Sequence, residues 1–204
     1  MGIKSFDALT QGWIPVAMID GSVRECGLLD FFDNAHVIKN ILEPSPIVKY
    51  GILRLITAFA ADALRPESTK DLLKLMDVGK FNIDSMKKYA EDCKKEMNSN
   101  CFDLFDEKYP FLQSAFNSDY DKVDNLKSVA FLFRDIPKAT SHIHFVHKLE
   151  YEHAFSPSVC LRGLCALNVF ALAGGQGYST GINGAFPPWF VLVRKENLFK
   201  MILV

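Results

Sequence analysis

Apolar positions follow two spacings in the first hundred residues. Between positions 13 and 24, Trp13, Ile14, Val16, Ala17, Met18, Ile19 and Val23 are interrupted by Asp20-Gly21, a favoured two-residue hairpin turn. This predicts an N-terminal β-hairpin. Pro15 suggests an edge strand, because proline offers no N–H to a ladder. A short amphipathic helix is expected over about 28–38. Ser45-Pro46 is a helix start, with Ser as cap and Pro at the first helical position. Val48, Ile52, Leu55, Ile56, Phe59 and Ala63 then make one apolar face to about position 64, where Arg65-Pro66 stops the helix. Two more helices are predicted over 69–78 and 84–97. The second carries Lys87, Lys88, Lys94 and Lys95 on a solvated face.

The pattern is less regular over 99–125, where Phe102, Leu104, Phe105, Tyr109, Phe111 and Leu112 read as anchors pinning a loop to the core. A short helix at best is expected over 127–134, and residues 138–155 are polar, His-rich loop. Ser156-Pro157 repeats the Ser-Pro helix start, and that helix should reach about position 172. Residues 174–184 (GGQGYSTGING) then hold five of the chain's 12 glycines. A strand is expected over 189–193 and a final helix, with no stop signal, over 196–204. The fold class is α+β and helix-rich: an N-terminal β-hairpin, several amphipathic helices, a glycine loop and a short strand after it.

Composition narrows the function. The 204 residues are 49% hydrophobic with 17 Phe, enough for a substantial core. No run is long and apolar enough for a membrane span, and the N-terminus has no secretory pattern. The five cysteines, Cys26, Cys93, Cys101, Cys160 and Cys165, form no C-x-x-C pair and read as reduced thiols of a cytoplasmic protein. Net charge is −1, but it is unevenly spread. Residues 1–125 carry 15 Lys+Arg against 20 Asp+Glu, whereas residues 126–204 carry 8 against 4. No acid lies between His153 and Lys195, so a polyanion would meet least repulsion there.

Candidate chemistry centres on the glycine segment and the histidines. Glycine lets a backbone N–H approach a partner closely. The segment is not a P-loop, having no Lys between Lys148 and Lys195. Nor is it a Rossmann turn: the third glycine, Gly181, falls one position late, and a helix precedes where a strand should. His142, His144 and His147 have ligand character, yet no carboxylate or Cys completes a recognised metal spacing. No G-x-S-x-G is present.

Several segments together resemble one family. They are Phe6…Gly12-Trp13-Ile14-Pro15-Val16; Val23-Arg24-Glu25…Ala35-His36-Val37-Ile38; Ile52-Leu53-Arg54-Leu55-Ile56; and Phe102-Asp103-Leu104-Phe105…Tyr109-Pro110-Phe111-Leu112-Gln113. Ser156-Pro157, the glycine loop and Leu192-Val193-Arg194…Asn197-Leu198-Phe199 follow in order. The chain resembles CasA, the large subunit of the type I-E CRISPR surveillance complex, Cascade. The resemblance implies that residues 1–204 are the N-terminal portion of a longer subunit whose C-terminal helical bundle is absent.

It also implies a non-catalytic protein without metal or other cofactor. Such a subunit reads the protospacer-adjacent motif of duplex DNA, aids R-loop formation and recruits a helicase-nuclease. Its partners would be the other Cascade subunits, guide RNA and double-stranded target DNA, in the cytoplasm. The family's minor-groove loop falls on Gly175, Gln176 and Gly177, flanked by Tyr178, Ser179 and Thr180. Gln176 stands where a family relative has Gly, and Ser179 where it has Lys. A second contact loop of the family falls over about 141–153, with His142, His144, His147 and Lys148. A slim backbone suits a minor groove about 6 Å wide, and Gln can read its acceptors or the guanine amino group. Two other readings stay open: an α+β interaction domain whose glycine loop only permits close packing, and a metal-dependent hydrolase built on the histidines.

Overall fold

The computed structural model describes residues 5–115, 117, 129–133, 154–170 and 192–203. Strands β1 (Ile14–Met18) and β2 (Val23–Cys26) pair antiparallel, Ile14 opposite Cys26 and Ala17 opposite Val23. The hairpin is as expected, but its turn is one residue longer. Met18 N–H donates to Ser22 O at 2.9 Å, leaving Ile19, Asp20 and Gly21 in the loop. Gly21 takes φ +89°, the left-handed residue that ends such a three-residue loop.

Two expectations fail here for one reason. Residues 38–41 are strand β3 (Ile38–Ile41), so the preceding helix α1 is only Leu28–Asn34. The sheet order is β2-β1-β3, which makes β1 the central strand and not an edge. Pro15 is tolerated there because it lies near the start of β1. Its carbonyl accepts from Leu42 N at 2.8 Å, just past the end of β3. A bulge between Ala17 and Met18 re-registers β3, so that both Ile38 and Ile41 point inward.

Helix α2 (Pro46–Leu64) starts after Ser45, as predicted, although the Ser45 side chain makes no capping bond. It ends at Arg65, at φ 44°. Helix α3 (Thr69–Val78) stops at Gly79, φ 81°. Helix α4 (Ile83–Met97) is capped by Asn82, whose Oδ1 accepts from Asp84 N at 3.0 Å and Ser85 N at 3.4 Å. A 3-10 turn spans Val129–Leu132, α5 is Pro157–Phe170 and α6 is Leu198–Ile202. The architecture is α+β and helix-rich. No helix among the described residues is long and apolar enough to cross a membrane.

The core lies between the sheet and α1, α2, α4, α5 and α6. Trp13 is fully buried, with Nε1 donating to Ala8 O at 3.0 Å. Phe32 joins Phe31, Phe59 and Phe81 at centroid distances of 5.1–5.8 Å, and Phe81 carries the cluster on to Phe199 at 4.8 Å. Such edge and offset contacts add about 0.5–1.5 kcal/mol per pair beyond area burial. Helix α2 is buried on more than the predicted face. Gly51, Leu53 and Ala60 are also covered, because α4 and α5 both pack on it.

Of the expected loop anchors, Phe102, Leu104 and Phe111 are buried; Phe105 and Tyr109 are exposed. The segment is held chiefly by a residue the anchor reading passed over. Asp103 is buried and accepts from Phe6 N at 3.0 Å, Phe105 N at 2.8 Å and the Ser5 hydroxyl. Its backbone bonds Phe111 N and pairs with Asp7. The segment carrying the family resemblance thus ties the N-terminal end of the chain to the core.

Candidate functional site

Gly175, Gln176, Gly177, Tyr178, Ser179 and Thr180 lie outside the described residues, as do His142, His144, His147 and Lys148. So does most of the expected strand over 189–193; its described end, Leu192 and Val193, carries no regular structure and is exposed. The described residues supply the frame on both sides of the glycine segment: α5 before it, and the return through Leu192 into α6 after it.

Helix α5 is set against α2 at backbone contact. A Cβ at Gly51 would stand 2.5 Å from Cys165 O and 2.7 Å from Ala166 N. Leu161, Leu164, Cys165 and Ala166 are buried along α5. On another side, a Cβ at Gly163 would meet the Leu132 Cβ at 2.8 Å, so the 3-10 turn also closes on a bare backbone. Two glycines outside the glycine segment therefore do what glycine does best, allowing close approach.

Arg162 fixes the helix about its axis. Its Nη1 donates to Trp13 O at 3.3 Å and to Glu25 Oε1 at 3.1 Å, and its Nε lies 3.3 Å from Glu43 Oε2. The Arg162 and Glu43 side chains are only 15% and 12% exposed, so this ion pair is largely desolvated. One guanidinium links α5 to the entry of β1, to β2 and to the turn before α2. The sequence reading missed Arg162, although a signal was there: it is the single charged residue between His153 and Arg194.

The return side is anchored at α6. Asn197 Oδ1 caps it, accepting from Lys200 N at 3.0 Å; Phe199 N donates to Ala35 O at 3.1 Å. Helix α6 packs on β3. There Lys49 Nζ donates to Asn40 Oδ1 at 2.8 Å. Partial burial, and then the charge of Arg194, hold the Lys49 ammonium below its ordinary pKa.

The described groups offer little catalytic chemistry. Burial raises the thiols of Cys101, Cys160 and Cys165, and burial together with Asp30 pushes Cys26 up to about 12. These are poor nucleophiles. Burial first, then its bond to Asp62 Oδ2 at 2.5 Å, raises the Tyr89 hydroxyl. Among the described residues no group of three His, Cys, Asp or Glu side chains could hold a metal ion.

Fold and frame together correspond to part of the solved CRISPR-associated Cse1 proteins. Thermobifida fusca Cse1 matches with TM-score 0.76 and 23% identity, over 98% of this chain and 39% of that one. Thermus thermophilus CasA (Cse1) matches with TM-score 0.75 and 26% identity, over 98% and 39%. A chain of a CRISPR RNA-guided surveillance complex matches with TM-score 0.74 and 17% identity, over 98% and 43%. The sequence fits the family described as CRISPR-associated protein Cse1 over residues 7–203, and the chain belongs to that family. It spans about two fifths of the length of the solved Cse1 structures it matches. No curated protein matches it significantly.

Proposed function

We propose that this chain is a non-catalytic DNA-recognition subunit, or the N-terminal portion of one, in a type I-E Cascade surveillance complex. Residues 1–204 would form part of the large-subunit domain. Gly175, Gln176 and Gly177, flanked by Tyr178, Ser179 and Thr180, enter the minor groove at the protospacer-adjacent motif. The contact loop with His142, His144, His147 and Lys148 meets the complex or the DNA near the guide end. The subunit aids R-loop formation and offers a surface to the helicase-nuclease, working in the cytoplasm. The observation that carries this reading is the Cse1 family match over residues 7–203, which spans both loops in a chain whose described fold follows Cse1.

The physics is consistent with it. In guided effectors, base pairing reads the long sequence and protein reads a short flag, so a net charge of −1 is no obstacle when other subunits and the guide hold the phosphates. Gln176 brings both a donor and an acceptor to a groove that separates A·T from G·C mainly by the guanine amino group.

The test replaces Gly175 and Gly177 with Leu in the assembled complex and compares binding to duplexes with and without the flanking motif. Loss of discrimination in a folded protein supports groove entry. Retained discrimination would make the loop structural, the interaction-domain reading. Stoichiometric zinc or iron in the purified protein would instead favour the histidine hydrolase.

A further inference from the structure

The two stretches that flank residues 134–153 are packed on each other. Phe133 ends the stretch before them, and Phe155 stands two residues ahead of Pro157, the start of α5. Their ring centroids lie 5.3 Å apart, with the planes tilted by 40°. An aromatic pair at this spacing shifts an equilibrium by about two- to tenfold beyond the effect of its buried area. Residues 134–153, which hold His142, His144, His147 and Lys148, therefore leave and return at one place.

That place is on α5. Phe133 lies over the bare backbone of Gly163, which is buried. A Cβ there would stand 3.2 Å from Phe133 Cζ and 3.4 Å from its Cε1, beside the 2.8 Å approach to Leu132. Within the same turn of α5, Arg162 donates to Trp13 O and Glu25 and pairs with Glu43, while Cys165 O lies against Gly51 of α2. The helix under the ring pair is thus fixed to the sheet and to α2, and a ring that rests on it is held against the body of the protein. Phe133 and Phe155 themselves are only half-buried. Rings left partly in water add less to the core than buried ones. Their main effect is on where the 134–153 segment starts and ends.

We propose that Phe133, Phe155 and Gly163 form an aromatic clamp that positions the histidine segment for contact with nucleic acid. The clamp rests on the reading of that segment as a contact loop, and it consists of positioning residues that act without touching the ligand. Its task is to keep one arrangement of the segment populated, because apparent affinity falls with the fraction of molecules that are competent to bind. It also differs from the glycine segment in what it controls. Contacts that position a duplex set affinity for any sequence, whereas the glycine loop would read base edges.

The test uses the chain assembled with its partner subunits and guide RNA, titrated with motif-bearing and motif-lacking duplexes. Phe155→Leu and Phe133→Leu remove the ring pair and keep an apolar side chain. Gly163→Ala pushes Leu132 and Phe133 off the helix from the other side. Each should bind duplex about two- to tenfold more weakly, by the same factor with and without the motif. Phe155→Tyr keeps the ring and should bind as the parent does. Asp103→Asn is the control for lost stability: it loosens the tie to the N-terminal segment and should leave duplex affinity unchanged.

Phe155→Leu, Phe133→Leu and Gly163→Ala all binding as the parent does would overturn the clamp. So would a loss that Phe155→Tyr shares or Asp103→Asn reproduces, because either would trace to stability. A loss confined to assembly with the other subunits would overturn the nucleic-acid role. The clamp and the reading it rests on fail separately. Lys148→Gln that weakens duplex binding, beside clamp variants that do not, refutes only the clamp. Clamp variants that weaken binding, beside Lys148→Gln, His142→Ala and His144→Ala that bind as the parent does, refute only the contact assigned to the histidine segment.

Discussion

Gly51→Ala tests how α5, and with it the glycine segment, is positioned. The added Cβ would lie 2.5 Å from Cys165 O, 2.6 Å from Cys165 C and 2.7 Å from Ala166 N. All three are backbone atoms of α5, so no side-chain rotation makes room. Carbon contacts are comfortable at about 3.5 Å, so α2 and α5 must part by roughly 1 Å. That separation loosens a seam holding Val48, Ile52, Leu161 and Leu164, all buried. Overpacking of this kind costs about 1–3 kcal/mol. Against it stands the helix propensity of Ala over Gly in a helix interior, worth about 1 kcal/mol. The clash should win, leaving Gly51→Ala about 1–2 kcal/mol less stable and Gly51→Val worse. Urea unfolding followed by circular dichroism measures this, with a similar slope required for a like-for-like comparison. A Gly51→Ala variant as stable as the parent, or more so, would refute backbone contact between α2 and α5.

Arg162→Met should cost on the order of 3 kcal/mol, because it strands the largely desolvated Glu43, and adding Glu43→Gln should recover part of the loss in a double-mutant cycle. Arg162→Met in the assembled complex should also leave the salt slope of DNA binding unchanged, because Glu25 and Glu43 already hold that charge. Burial alone would raise the Asp103 pKa, but the bonds from Phe6, Ser5 and Phe105 outweigh it and hold the carboxyl below its ordinary value. Its stabilisation is therefore present above about pH 4 and lost as pH falls through the lower folded pKa. Asp103→Asn should cost about 1–3 kcal/mol at pH 7 and flatten the acid limb of urea midpoint against pH; an unchanged limb would refute this. Cys26, pushed up to about 12, and the buried Cys165 should resist a thiol reagent at pH 8 until the protein unfolds, and rapid native labelling of either contradicts the packing.

Local signals were legible where one segment settles its own structure. The Ser45-Pro46 start and the 69–78 helix match the observed α2 and α3 starts and ends. The hairpin was legible too, although Gly21 serves a three-residue loop. The reading failed where a distant segment decides. Residues 38–41 alternate only with a bulge, and their strand state comes from pairing with β1. That pairing also puts Pro15 in the middle of the sheet. Gly51 and Leu53 fall off the apparent apolar face of α2, and only the arrival of α4 and α5 explains their burial. Asp103 looked like one more polar residue among aromatics until the N-terminal segment brought its donors. For the candidate site, sequence named the glycine segment and the histidines, while the described structure adds the frame: Gly51, Gly163, Arg162 and Asn197.

The frame changes what the charge asymmetry means. Read along the chain, residues 126–204 look like one basic face, with 8 Lys+Arg against 4 Asp+Glu. In the fold, Arg162 is neutralised by Glu25 and Glu43 from the acidic half, and Lys200 by its neighbour Glu196. Those charges hold the protein together and add little to the field a ligand meets. The acid-free stretch found in the sequence is therefore not by itself a basic field: Arg162, the charge it carries ahead of Arg194, is already held by Glu25 and Glu43.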